Sequence, residues 1–161
     1  MSKVEQKLEQ MGLYLPPPLV VPAGLTLPFQ PVIVRGNRVY ISGHAPQEPD
    51  GTISKPLGKV GLDLTAEQGN EMARKVGLSI LGDLKRALGD LDRVTQWLRA
   101  FGMVNVAPGF SSTTPVINGF SELILALYGP EAGAHTRSAV GMATLPMEIS
   151  VEIEAEVEID G

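Results

Sequence analysis

The sequence predicts an α/β domain of the α+β kind: a mixed β-sheet carrying two helices on one face, preceded by an N-terminal arm. Three observations predict it. First, residues 150–159 alternate without a break. Val151, Ile153, Ala155, Val157 and Ile159 point one way and Glu152, Glu154, Glu156 and Glu158 the other, the period-two pattern of a half-buried strand. Second, Ala73, Val76, Ile80, Leu84 and Leu88 recur at helical spacing, which gives a helix an apolar stripe to lay against a sheet. Third, strand-like and helix-like stretches follow one another as ββαβαββ, an order that packs into two layers.

The elements follow in order. Residues 3–11 form a short helix that Tyr14-Leu15-Pro16-Pro17-Pro18 ends. Residues 16–31 hold six of the thirteen prolines, and proline fixes φ and donates no hydrogen bond, so this is an extended arm. Leu19, Val20, Val21, Leu25, Leu27 and Phe29 make it too apolar for a free linker, so it is expected to pack on its own domain or on a neighbouring subunit. The expected division is residues 1–30 as helix and arm, and 31–161 as one domain. Pro31–Arg35 and Arg38–Ser42 read as a hairpin about Gly36-Asn37, followed by Ser42-Gly43-His44-Ala45-Pro46 and a loop over 47–63 with a turn at Asp50-Gly51.

Thr65 and Gln68 fit a capping box for the main helix, which runs to about Leu88. Gly69, Gly77 and Gly82 inside it each cost about 1 kcal/mol of helix propensity, and close packing on strands is the expected reason. Val94 to Val106 reads as an apolar strand buried on both faces or nearly so. Thr114 is expected to cap a second helix with Pro115 at its first position, an apolar face of Ile117, Phe120, Ile124 and Leu127, and a stop at Gly129-Pro130. Ser138–Leu145 and Ser150–Ile159 then read as two strands about a turn at Pro146. Paired antiparallel, they would bring Arg137 close to Glu152. Two helices on one face leave the other face open, and association into a closed ring is the economical way to cover it.

Composition narrows the function classes. With 161 residues and 43% apolar content the chain can build one full core. No run approaches the roughly 20 apolar residues of a membrane-spanning helix, and the start MSKVEQKLEQMG lacks the apolar stretch of a signal peptide. The cytoplasm is the expected compartment, with no membrane partner. The absence of cysteine excludes disulfides, thiolate zinc sites and a cysteine nucleophile. A net charge of −5 without a basic cluster argues against a nucleic-acid partner, whose affinity rests on neutralising phosphates.

A few residues carry candidate chemistry. The guanidinium of Arg137 is a planar fork suited to a carboxylate, and Ser138, Ala139 and Gly141 beside it leave room for a ligand. The alternative is a salt bridge to one of the four glutamates. Glu152 sits nearest the turn and is the one placed to activate a water, whereas Glu154, Glu156 and Glu158 read as a solvated or intersubunit face. His44 and His135 are the only histidines, each at the end of a small-residue strand. Without a carboxylate at ligand spacing they are a weak metal signal, and a satisfied or exposed ring is the competing reading. Asn118 lies in the first turn of the second helix. Ser42 and Ser138 lack a nucleophile-elbow context, and no dinucleotide or phosphate-binding glycine motif occurs. No cofactor and no metal are expected.

Together, Arg35-Gly36-Asn37-Arg38-Val39-Tyr40-Ile41-Ser42-Gly43, the helix bearing Asn118, and TRSAVGMATLPMEISVEIEAEV resemble the Rid family (YjgF-type, reactive intermediate deaminases, formerly labelled endoribonuclease L-PSP) over about residues 29–159. The resemblance implies a chorismate-mutase-like fold, a homotrimer with a barrel-like centre, and three clefts between subunits. It implies hydrolysis of 2-imino or 2-enamino acids to 2-keto acids and ammonia. Arg137 falls on the carboxylate-binding position and Glu152 on the residue associated with the hydrolytic water. Asn118, Ser42 and Gly43 fall on further substrate contacts. The chain departs from the pattern at Phe29, where a tyrosine is usual, at Ala139 for a cysteine, and at His44 for a glutamine. It reads as a divergent branch with an N-terminal extension. His44 and His135 are expected to supply the polar groups lost at Phe29 and Ala139. The competing function is a trimer that binds a small carboxylate, such as a 2-keto acid, without turning it over. RNA cleavage is disfavoured by the acidic charge.

Overall fold

A computed structural model describes all 161 residues. Helix α1 (Lys3–Gln10) starts where Ser2 Oγ accepts from the Glu5 amide at 3.1 Å. Asp92 accepts the free amides of Lys3 and Val4, and Val4 and Leu8 insert into the main core. The arm then splits in two. Its first half lies on the domain, with Tyr14 Oη donating to Gln47 O, Gln47 Nε2 to Pro17 O, and Arg86 Nη1 to Pro16 O. Its second half leaves Val21, Leu25, Leu27 and Phe29 exposed.

Strands β1 (Val32–Arg35) and β2 (Arg38–His44) form the expected hairpin, with Gly36 at φ +60° in the turn. Helix α2 (Ala66–Leu88) carries the full Thr65–Gln68 capping box and ends at a left-handed Gly89. Strand β3 (Val94–Asn105), helix α3 (Thr113–Ala132), strand β4 (Thr136–Met142) and strand β5 (Val151–Ile159) complete the chain. No helix is long and apolar enough to cross a membrane.

The sheet order β1-β2-β5-β3-β4 overturns the pairing expected of the last two strands. β3 lies between them, antiparallel to β5 and parallel to β4. The turn at Pro146 is thus a crossover past β3. A parallel neighbour for β3 is what a helical connection of α3's length supplies.

Val151, Ile153, Ala155, Val157 and Ile159 are buried on the side of β5 that α2 covers, as their alternation requires, while α3 lies over β3 and β4. β3 is one-sided rather than buried on both faces. Val94, Trp97, Ala100 and Val104 enter the core, while Arg99, Phe101 and Met103 look out beside the glutamates. Its apolar residues on the outer side made the two faces look alike in sequence.

Other details differ for identifiable reasons. Gly69 and Gly77 let α2 approach α3 rather than strands: an added Cβ would lie 3.2 Å from Val116 and 2.9 Å from Leu123. Gly82 makes room for the arm, at 2.8 Å from Pro16 O. Helix α3 begins at Thr113, one residue before the expected cap, and Thr113 Oγ1 donates to Ala139 O instead. Pro115 is still tolerated, because first-turn amides have no intrahelical partner. Gly129 (φ 82°, ψ 176°) breaks α3 where expected, and one further turn follows to Ala132.

Candidate functional site

The expected site residues fall into two groups on opposite faces of the sheet. The register shows why. Arg137 on β4 is level with Ala100, and Ala100 with Ala155, a row that faces the helices. Glu152 is level with Met103, and Met103 with Val140, three residues along and so on the other face. Within one chain Arg137 and Glu152 do not meet.

The first group surrounds Arg137, which is half-buried under α3. Nη1 donates to Ser121 Oγ at 2.9 Å and Nη2 to Thr114 O at 3.2 Å. No carboxylate lies within 4.0 Å of the fork, so the salt bridge to a strand glutamate is not made. Burial lowers the guanidinium pKa, yet arginine stays charged at any ordinary pH. Asn118 lies between Thr114 and Ser121 on the same helical stripe. His135 Nε2 is 2.9 Å from Ser121 Oγ, and its Nδ1 is 2.8 Å from Gly133 O. A consistent chain has Arg137 donating to Ser121, Ser121 to Nε2, and Nδ1–H to the carbonyl. Ala139 packs against the core on the same side as Arg137.

The second group lines a cavity of about 470 Å³ between the arm, β2, α2, and the turn before β5. Phe29, Ser42, Gly43, His44 and Glu152 all border it. Gly43 leaves room there for the Glu152 carboxylate: a Cβ would stand 2.7 Å from Glu152 Oε1. Burial, then the charge of Glu154, push the Glu152 carboxyl above the usual range, and His44 partly opposes them. A β-bulge between Ile41 and His44 turns the buried His44 ring so that Nδ1 lies 2.6 Å from Ser42 O and Nε2 2.9 Å from Asp83 Oδ2. Both partners are acceptors, so each ring nitrogen is already committed to a contact. Arg86 Nε and Nη2 grip Asp83 Oδ1 at 3.0 and 2.7 Å. Burial raises Asp83, but hydrogen bonds from His44 and Arg86 outweigh it and hold the carboxyl low.

Neither histidine therefore offers a free ring nitrogen to replace the hydroxyl absent at Phe29 or the thiol absent at Ala139. No three acidic or histidine side chains converge as metal ligands. Sequence reading missed Asp83, Arg86, Ser121 and Met147. The 83/86 pair had a helical i, i+3 spacing as a signal, but its histidine partner is 39 residues away. Met147 (φ 57°, ψ 19°) and Glu148 (φ 57°) adopt the left-handed region consecutively, at about 1–3 kcal/mol each. This turn places Met147 at the cavity wall.

The comparisons with known proteins agree with this architecture. The family model described as "YjgF/chorismate mutase-like, putative endoribonuclease" matches residues 5–155. Protein TCP17 of Trypanosoma cruzi is 34% identical over 159 residues, which is 99% of this chain and 96% of that protein. The solved structure of an Agrobacterium tumefaciens protein of unknown function superposes with a TM-score of 0.86 at 37% identity, over 98% of this chain and 93% of that one. A "putative endoribonuclease" of Shewanella oneidensis MR-1 gives a TM-score of 0.86 at 27% identity, over 97% and 99% of the two chains. The chain belongs to the YjgF/chorismate mutase-like family.

Proposed function

We propose that the protein is a 2-imino/2-enamino acid deaminase that works as a homotrimer in clefts between subunits. The observation that carries this reading is the half-buried Arg137 fork, held by neutral oxygens and lacking any anionic partner in its own chain. A cation left in that state calls for an anion from outside, and a small carboxylate matches the fork. The opposed positions of Arg137 and Glu152 then require the cleft to draw Arg137 from one protomer and Glu152 from the next. The composition of the open face supports this. That face carries Ile33 and Tyr40 at 45% and 48% exposure beside the row of glutamates, a mixed surface suited to burial against copies of itself.

In the reaction the carboxylate of the substrate rests on Arg137, with Asn118 alongside. Glu152 takes a proton from water, and the oxygen adds to the C=N carbon. The proton passes to nitrogen to give a carbinolamine; Glu152 then takes the hydroxyl proton and hands it to the amino nitrogen as the C–N bond breaks, so that C=O forms and ammonia and a 2-keto acid leave. A carboxyl whose pKa is raised by burial suits this exchange. The second reading, a trimer that holds a 2-keto acid without turnover, is favoured by Phe29, which brings no hydroxyl to the cavity.

The test generates imines in solution with an amino-acid oxidase and follows 2-keto acid and ammonia release. Wild type is expected to accelerate release, with Arg137→Ala losing at least about 100-fold. Light scattering is expected to give three protomers per particle. Unchanged rates in Arg137→Ala, or thermal stabilisation by a 2-keto acid without any hydrolysis, would overturn the enzymatic reading.

A further inference from the structure

We infer that the cavity under the arm selects 2-imino acids with a large apolar side chain, and that Leu25, Leu27, Phe29 and Met147 set this preference. The inference rests on the deaminase reading above and gives that site its substrate class.

Size is the first argument. The cavity measures about 470 Å³, within the range of pockets that enclose whole small molecules. The imine of phenylalanine, with about twelve heavy atoms, fills about twice as much of it as the imine of alanine, with about six. A three-carbon substrate would leave most of the space to water against apolar walls.

The distribution of chemistry is the second. Ser42, His44, Asp83 and Glu152 supply polar groups to the lining, and the arm with Pro146 and Met147 supplies most of its apolar surface. Leu25, Leu27 and Phe29 are 43%, 38% and 53% exposed, although Pro16 and Pro17 are tied to the domain by hydrogen bonds. Apolar side chains held over a cavity that also carries polar groups suit a ligand that is polar at one end and apolar at the other. The two successive left-handed residues are the third argument. That conformation is unfavourable for methionine and glutamate, and here it sets the Met147 side chain on the apolar cluster of Ala45, Leu145 and Ile149 beside the cavity.

The experiment compares imines made in solution from leucine, phenylalanine and alanine. The leucine- and phenylalanine-derived imines are expected to show kcat/KM at least about tenfold above the alanine-derived one. In Leu25→Asn and Leu27→Asn, whose exposed positions tolerate a polar side chain, that ratio is expected to fall below about threefold. Equal rates, a preference for the alanine-derived imine, or a preference that survives both substitutions would overturn the inference. If no imine is hydrolysed, the deaminase reading fails and calorimetry decides the selectivity separately. Binding of 4-methyl-2-oxopentanoate about tenfold tighter than pyruvate supports it, and equal or reversed affinities overturn it.

Discussion

Replacing Gly43 with alanine moves one carboxylate while leaving the fold in place. The added methyl would stand 2.7 Å from Glu152 Oε1, 2.9 Å from Cδ and 3.1 Å from Cγ. Ordinary contact begins near 3.4 Å, so the carboxylate must retreat by about 0.7 Å. The obstructing atoms are the end of a flexible side chain, and alanine is the better strand residue. The stability change is expected to stay within about 1 kcal/mol. Catalysis is less forgiving, because a displacement near 1 Å at a reacting group costs about 100-fold. Gly119→Ala is the control. Its methyl would run into the Asn70 carbonyl, which belongs to α2 backbone and cannot rotate away. It is expected to lose about 3 kcal/mol or more. Urea melts followed through Trp97 and imine-hydrolysis rates measure both effects. Gly43→Ala turning over at the wild-type rate would show that the position of Glu152 does not set the rate.

Two further substitutions use the acid–base properties of the cavity. Glu152 has a folded pKa above its unfolded value, so its ionised form opposes folding as pH rises through the interval between them. Glu152→Gln is therefore expected to raise the urea midpoint at pH 7 while abolishing turnover. The gain should vanish below about pH 4, where both states bind the proton. Asp83 has the opposite sign: its folded pKa is depressed, so its contribution is present above the unfolded value and disappears as pH falls through the folded one. Asp83→Asn is expected to lose about 1–3 kcal/mol at pH 7. The deficit should shrink in acid, which urea titrations from pH 7 to pH 2 would show.

Much of the site's inventory was legible because it rests on local chemistry. The small residues at 42–43 and the alternation at 150–159 can be read from side-chain size and period, and they do place Ser42, Gly43 and Glu152 at one cavity. The His44–Asp83–Arg86 linkage was not legible, because α2 has no period that says which exposed polar residue meets a histidine 39 positions earlier. Met147 was hidden for a different reason. Its left-handed backbone is contrary to its own preference and is held by surroundings such as Glu148 O accepting from the Gly58 amide.

Hydrophobic period, caps and turn residues by themselves determined the element order, the buried face of β5 and the extent of α2, since each depends on residues within a few positions of one another. Which strands became neighbours was a tertiary decision. β3 took the place between β4 and β5 because the α3 crossover returns the chain parallel to β3, and backbone pairing carries no sequence label. That placement put Arg137 and Glu152 on opposite faces, so the sheet, and not the spacing of the two residues along the chain, sets their geometry.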